Sequence, residues 1–276
     1  MLNFNADQQT CTRCGLCVAD CPARIITMAE DSFPTITPDR EGACYRCQHC
    51  LAICPTGAIA ILGLKPEDSL PLAGNYPSPE QMEVLIKGRR SVRRYREENL
   101  PPELLQRLLE VAWHAPTGIK SRQVLFTVID DRKKLATLRD EVMAGLDQLV
   151  RSRALPEERG FFADFVRMWK EKRLDIIFRN APHLLIASAP QQVASPQQDC
   201  LIALTYFELY AQACGVGTVW NGLAKWAIND LLPLTRTRLG IPTDHLFGYA
   251  MAFGWPAHRY ARTVQHGPAL ISRFGG

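Results

Sequence analysis

CTRCGLCVADCP (residues 11–22) and CYRCQHCLAICP (residues 44–55) are two copies of one pattern, C-x2-C-x2-C-x3-C-P, and hold eight of the ten cysteines in this 276-residue chain. Three thiolates at this spacing wrap one turn of backbone around a single cluster, and the fourth lies too far along to join them. Zinc sites usually separate paired C-x2-C units by a longer gap, and disulfide frameworks belong to exported chains. The repeat therefore reads as an iron–sulfur signature.

In runs of this kind the fourth thiolate ligates the other cluster. The expected ligand sets are Cys11, Cys14, Cys17 and Cys54 for one cluster, and Cys44, Cys47, Cys50 and Cys21 for the other. Residues 1–62 resemble a bacterial two-cluster ferredoxin, which implies two [4Fe-4S] clusters. The stretches Ala23–Ile26 and Thr56–Ile61 would supply its apolar shell and short strands. So small a module has little other core, and cluster binding should be much of its folding free energy. Pro22 and Pro55 are read as shaping the loops.

Working outward, 47% hydrophobic and 22% charged residues describe a folded protein with one large domain or a large and a small one. No apolar run reaches the roughly 18 residues of a membrane helix, and MLNFNADQQT lacks the basic-then-apolar order of a secretion signal. A cytoplasmic location and no membrane partner are expected. The net charge of +4 does not call for nucleic acid, but residues 1–62 carry −2 and the remainder +6. That polarity suits a basic body holding an anionic cofactor.

Residues 63–78, GLKPEDSLPLAGNYPS, are rich in Pro and Gly and read as a linker before a domain over 79–276. Ser78 as N-cap, Pro79 and Gln81 open a helix that Gly88 can end. Directly after it comes RRSVRRYR, residues 89–96. Alone, such a run is a solvated basic face, yet a Ser hydroxyl among guanidiniums also offers neutral and bidentate donors to one phosphate. A second helix follows from Pro102, with Leu104, Leu105, Leu108, Leu109 and Ala112 on one face, and leads to APTGIKS at 115–121.

This order of motifs resembles the opening of the FMN-dependent nitroreductase family. The resemblance implies that Arg89, Arg90 and Ser91 hold the flavin phosphate and ribityl chain and that Arg93 approaches the pyrimidine ring. A cation there would stabilise the anionic reduced flavin. It implies that Pro116, Thr117 and Gly118 reach the flavin of the partner subunit, so that the protein is a homodimer, and Ser121 is a further candidate for binding the cofactor. At Lys120, Arg122 and Gln123 the chain departs from the family's Asn and Gln-Pro. Further on, GVGTVWNG at 215–222 matches the stretch whose backbone amide faces flavin N5, with Asn221 and Gly222 as nearest matches. The closing GWPAHRYAR at 254–262 matches the basic return to the phosphate, which nominates Arg262 and then Arg259.

Between these motifs, 124–129, 183–189 and 245–253 read as strands, the first two buried, and 132–150, 199–214 and 229–239 as helices. Phe161, Phe162, Phe165, Trp169 and Phe178 stud a charged stretch, as core or dimer interface, or as a lid over the flavin. Cys200 and Cys214 lie about 21 Å apart on one helix and cannot pair. The dispersed histidines are read as structural, and no dedicated acid–base pair is evident.

The expected architecture is α+β, a ferredoxin-type domain followed by a nitroreductase-like domain with a central, mostly antiparallel sheet wrapped by helices. The expected activity is electron transfer between the clusters and a flavin that reduces or oxidises a small organic molecule, such as a nitro compound, quinone or flavin. NAD(P)H or an external ferredoxin is the expected exchange partner. The alternative is an electron-carrier or redox-sensing module acting on a partner protein. Replacing Cys54 by Ala should damage the cluster of Cys11, Cys14 and Cys17 first, giving the EPR change of Cys14→Ala; the change of Cys47→Ala would show the ligand sets to be uncrossed.

Overall fold

The computed structural model describes residues 1–275; Gly276, the end of the expected 79–276 domain, lies outside them. The chain divides into two units, Met1–Pro77 and the remainder from Ser78. In the first, β1 (Asn5–Ala6), α1 (Leu16–Ala19), α2 (His49–Ala52) and β2 (Ile59–Ala60) follow in order, and β1 pairs antiparallel with β2. Each short helix opens after a left-handed residue, Gly15 at φ 72° and Gln48 at φ 62°. Arg13 and Arg46, two positions earlier, are left-handed as well, so the two motifs share one backbone course. Leu2, Ile25, Ile26, Leu51, Ile59 and Ile61 form the core around the buried Cys17 and Cys50. The Pro- and Gly-rich residues up to 77 belong to this unit, with Leu64 bridging to Ile61.

The second unit opens on α3 (Pro79–Gly88), where Ser78 Oγ accepts from the Gln81 amide and the Gln81 side chain accepts from the Ser78 amide. Then come α4 (Pro102–Ala112), β3 (Leu125–Ile129), α5 (Arg132–Arg151), α6 (Phe162–Lys172), β4 (His183–Pro190), α7 (Pro196–Ala213), β5 (Gly217–Trp220), α8 (Gly222–Lys225), a π-helical turn at Trp226–Leu231, α9 (Pro233–Arg238) and β6 (His245–Gly254). The strands pair antiparallel in the order β3-β4-β6-β5.

Period-two alternation sends Leu184, Ile186 and Ala252 to one face and Leu185, Ala187 and Phe253 to the other. The first face packs on Leu138 and Leu146 of α5 and Phe162 and Val166 of α6. The second packs on Leu105 and Leu108 of α4 and Leu204 and Phe207 of α7. Helices thus wrap an antiparallel sheet, as the sequence implies.

Two local expectations change and a third is narrowed. Residues 124–129 read as a buried strand, yet β3 lies at the sheet edge with Leu125 exposed; Phe126 and Val128 pack toward the α4 and α7 cluster, and Ile129 joins the core on the opposite face. The helix expected over 229–239 begins earlier, at Gly222, and breaks at Pro233, whose missing amide cannot continue it. Of the aromatic stretch, Phe162 and Phe178 are 0% and 1% exposed, with Phe165 and Trp169 packed on the same cluster, so these side chains are core. Phe162→Ala should therefore cost about 3–5 kcal/mol of stability, measured by chemical denaturation; a loss near zero would return the segment to a lid.

Candidate functional site

The eight motif cysteines line two cavities of the first unit, and the grouping crosses between motifs. Cys11, Cys14, Cys17 and Cys54 line one. Cys44, Cys47, Cys50 and Cys21 line the other. Both have apolar walls, Ile59 and Met28 in the first and Ile25, Ile26 and Ile61 in the second. Backbone amides already point at sulfur: Ala58 N donates to Cys54 Sγ at 3.2 Å and Arg46 N to Cys44 Sγ at 3.3 Å. Among the described residues no three Cys, His, Asp or Glu converge on a point that suits one ion. Four thiols spread around a cavity, with amides aimed at sulfur, fit an iron–sulfur cluster.

In the second unit the arginine run is a strand stapled to the sheet. Ser91 forms a parallel bridge with Thr218 of β5, and Val92 N donates to Thr218 O at 2.8 Å. Gly217 permits this approach, since a Cβ there would sit 2.5 Å from Val92 Cγ2. Tyr95 Oη lies within hydrogen-bonding distance of the carbonyls of Val92 (2.8 Å) and Ala252 (3.2 Å), and burial raises its pKa. Arg89 Nη1 donates to Glu208 Oε1 at 3.1 Å, Arg90 and Ser91 are half-buried, and Arg93 is exposed. The C-terminal segment runs beside them: Ala257 N donates to Arg94 O at 3.0 Å, and Tyr260 Oη reaches Ser91 O at 3.5 Å. Arg259 and Arg262 are exposed and share an open groove with Gly88 and Val92.

Asn221 and Gly222 separate cleanly. The Asn221 amide donates to Ala250 O at 2.8 Å, and its side chain accepts from Ala224 N and donates to Ile177 O, both at 2.9 Å. Its donors are spent on the fold, which argues against the Asn221 amide as a cofactor contact. The Gly222 amide, first of α8, has no acceptor among the described residues. A Cβ on Gly222 would lie 2.8 Å from Tyr249 Oη, so a larger residue there would push the tip of the Tyr249 side chain aside.

The loop after α4 carries Pro116, Thr117, Gly118 and Ser121, and it docks on the start of α7 instead of beside Arg89. Gly118 N donates to Asp199 Oδ1 at 2.8 Å and Ser121 Oγ to Asp199 Oδ2 at 3.3 Å. Ile119, Lys120 and Arg122 all hold positive φ, of 41°, 56° and 45°. Backbone of this kind is costly outside glycine and persists only when its surroundings fix it. Arg122 helps fix it, since its Nη2 donates to Trp113 O at 2.8 Å and its guanidinium lies 5.2 Å from the centre of the Trp113 ring. Its charge is thus spent on the end of α4.

Two buried acids of α7, Asp199 (2% exposed) and Glu208 (5%), were not singled out from sequence. The available signal was a carboxylate on each side of an otherwise apolar helix, where a buried charge requires donors. Nine residues apart, they lie on opposite flanks of α7 and about 13 Å apart along its axis. Cys200 beside Asp199 is fully buried, and its thiol is pushed up to about 12 by burial, so it is an inert core residue.

A model of the nitroreductase family matches residues 86–255, and a 4Fe-4S dicluster domain model matches residues 10–59. The chain is 26% identical over 184 residues to a Methanothermobacter thermautotrophicus protein named as an NADH dehydrogenase/NAD(P)H nitroreductase, covering 64% of this chain and 79% of that one. Among solved structures, a nitroreductase with bound FMN from Bacteroides fragilis superposes with a TM-score of 0.55 at 23% identity, over 70% of this chain and 99% of the other. One from Desulfitobacterium hafniense, also with bound FMN, gives 0.54 at 22%, over 70% and 98%. These likenesses extend over the second unit's fold. Asp199→Ala should release the loop over 117–121: a hydrogen bond to a charged group is worth about 1.5–3 kcal/mol, so exchange of the Gly118 amide should speed roughly tenfold or more. Unchanged exchange would mean that the loop is held by other contacts.

Proposed function

The chain belongs to the nitroreductase family, and from that premise we propose that it is an FMN- and iron–sulfur-dependent oxidoreductase acting on a small organic molecule. The observation that carries the reading is the strand 91–92 on the open edge of β5, with its arginines and the unspent Gly222 amide, in one chain with two four-thiol cavities. Arg89, Arg90 and Ser91 would hold a phosphate, Arg262 and Arg259 would return to it, and Arg93 would place a cation near the ring. In register, the Gly222 amide is favoured over that of Asn221 because only it has a donor to give. The proposed cluster ligands are Cys11, Cys14, Cys17 and Cys54, and Cys44, Cys47, Cys50 and Cys21. Once bound, clusters supply single-electron and flavin two-electron chemistry.

We further propose a homodimer. In one chain Asp199 holds the 116–121 loop about 13 Å along α7 from Glu208 and Arg89, on the opposite flank. Pro116, Thr117, Gly118 and Ser121 would then complete the site of a second copy. The curated relative's name makes NAD(P)H a reasonable electron donor to test against an external ferredoxin.

Anaerobic purification followed by iron, sulfide and flavin analysis should find two [4Fe-4S] clusters and one FMN per chain. NAD(P)H or a reduced ferredoxin should bleach the flavin and cluster absorbance, and a nitroaromatic, quinone or free flavin should restore it. A chain that takes up zinc in place of iron, or no FMN, would overturn the reading. Bound cofactors without turnover would favour a carrier or sensor.

A further inference from the structure

Glu208 is an acid that the proposed activity does not by itself require. Its side chain is 6% exposed and sits in the middle of α7, where every other inward residue is apolar or small apart from Asp199 at the far end. Three donors from two segments converge on it. Arg89 Nη1 reaches Oε1 at 3.1 Å, Thr218 Oγ1 reaches the same oxygen at 3.1 Å, and Trp220 Nε1 reaches Oε2 at 3.0 Å. Arg89 comes from the turn after α3, whereas Thr218 and Trp220 come from β5, the strand that runs into Asn221 and Gly222. One carboxylate is therefore the common acceptor for the first arginine of the run and for the strand leading to the Gly222 amide.

The chemistry of the arginine makes this more than packing. A guanidinium is a rigid planar fork, so fixing one nitrogen fixes the direction of the others. With Nη1 held by Glu208, Arg89 keeps its remaining donors in a set orientation while its side chain stays one-third exposed. An arginine anchored by a buried acid has less rotamer freedom to lose when it grips an anion, which is preorganisation. Lysine could not substitute, because an ammonium has no fixed fork to share between a buried carboxylate and a phosphate. Glutamine at 208 could accept through its oxygen, but its amide nitrogen would meet the Trp220 donor, or the other donors if flipped.

We propose that Glu208 is the positioning residue of the flavin-phosphate site, orienting Arg89 toward the phosphate of FMN while tying β5 to the same point. The inference rests on the proposed binding of FMN by Arg89 and deepens it. It predicts a specific loss, since a group acting through Arg89 should matter for a ligand that bears a phosphate and much less for the same isoalloxazine without one.

The test compares binding of FMN and of riboflavin, by quenching of flavin fluorescence, to the iron-loaded protein freed of flavin. In Glu208→Gln the FMN dissociation constant should rise about tenfold while that of riboflavin moves less than twofold. Arg89→Ala should lose at least as much, and the double variant should lose no more than Arg89→Ala alone. Equal weakening of both flavins in Glu208→Gln, or additive losses in the double variant, would reduce Glu208 to a fold residue. Should Glu208→Gln not fold, Glu208→Asp decides, since the shorter carboxylate withdraws from Arg89: a loss confined to FMN supports the positioning role, and equal weakening of both flavins, or none, overturns it. A parent protein that binds neither flavin would instead remove the proposed function itself.

Discussion

Burial of β4 on both faces is the constraint from which the second unit follows. All of its residues from His183 to Pro190 are buried, and β6 beside it is nearly so. A strand with two apolar faces needs a helical layer on each, and α5 with α6 and α4 with α7 supply them. With β4 and β6 in the centre, β3 and β5 become edges whose outward backbone groups need partners. Val92 takes the open edge of β5 through the Thr218 carbonyl, and this is why a basic run that could have lain in solvent is anchored to the sheet.

Buried charge then decides where the site is rigid. Taking a carboxylate out of water costs several kcal/mol, and a buried pair rarely stabilises a fold beyond what an apolar residue would. Glu208 and Asp199 nevertheless interrupt the apolar stripe of α7, each satisfied by donors from a distant part of the chain. The cost is offset by hydrogen bonds of roughly 1.5–3 kcal/mol each to a charged acceptor, so the balance is near neutral and the lasting consequence is geometric. Glu208 fixes Arg89 and β5, and Asp199 fixes a loop whose left-handed residues would otherwise relax.

What the sequence made legible follows from how local the cause is. The cysteine spacing, the Ser78–Gln81 cap and the period-two strands depend on neighbours within a few residues, and each could be read directly. β3 is legible as a strand but not as an edge, because an edge strand and a central one differ only in what lies beyond them. Asn221 and Gly222 could not be told apart, since the choice turns on the Ala250 carbonyl in another strand. The same holds for the acids of α7: sequence marks them as anomalous in an apolar helix but cannot say that Arg89, 119 positions earlier, is the donor. Non-glycine residues at positive φ, such as Ile119 and Arg122, leave no local trace at all.

The two units also differ in what holds them together, and this bears on how activity could be lost. The second has a continuous core on both faces of its sheet and needs no cofactor to explain its fold. The first has a small aliphatic core around Cys17 and Cys50, with two-residue strands and four-residue helices. Elements that short are not stable alone, and thiols lining the cavities bring no burial to compare with a side-chain core. The proposed clusters would therefore supply much of its folding free energy, as in other small metal-dependent domains. Because the thiol sets cross, each cavity draws its fourth sulfur from the other motif, and losing one of the proposed clusters would also loosen the backbone that frames the second. Oxidative loss of the proposed clusters would then disable the first unit as a whole while the second, with its own core, stayed folded.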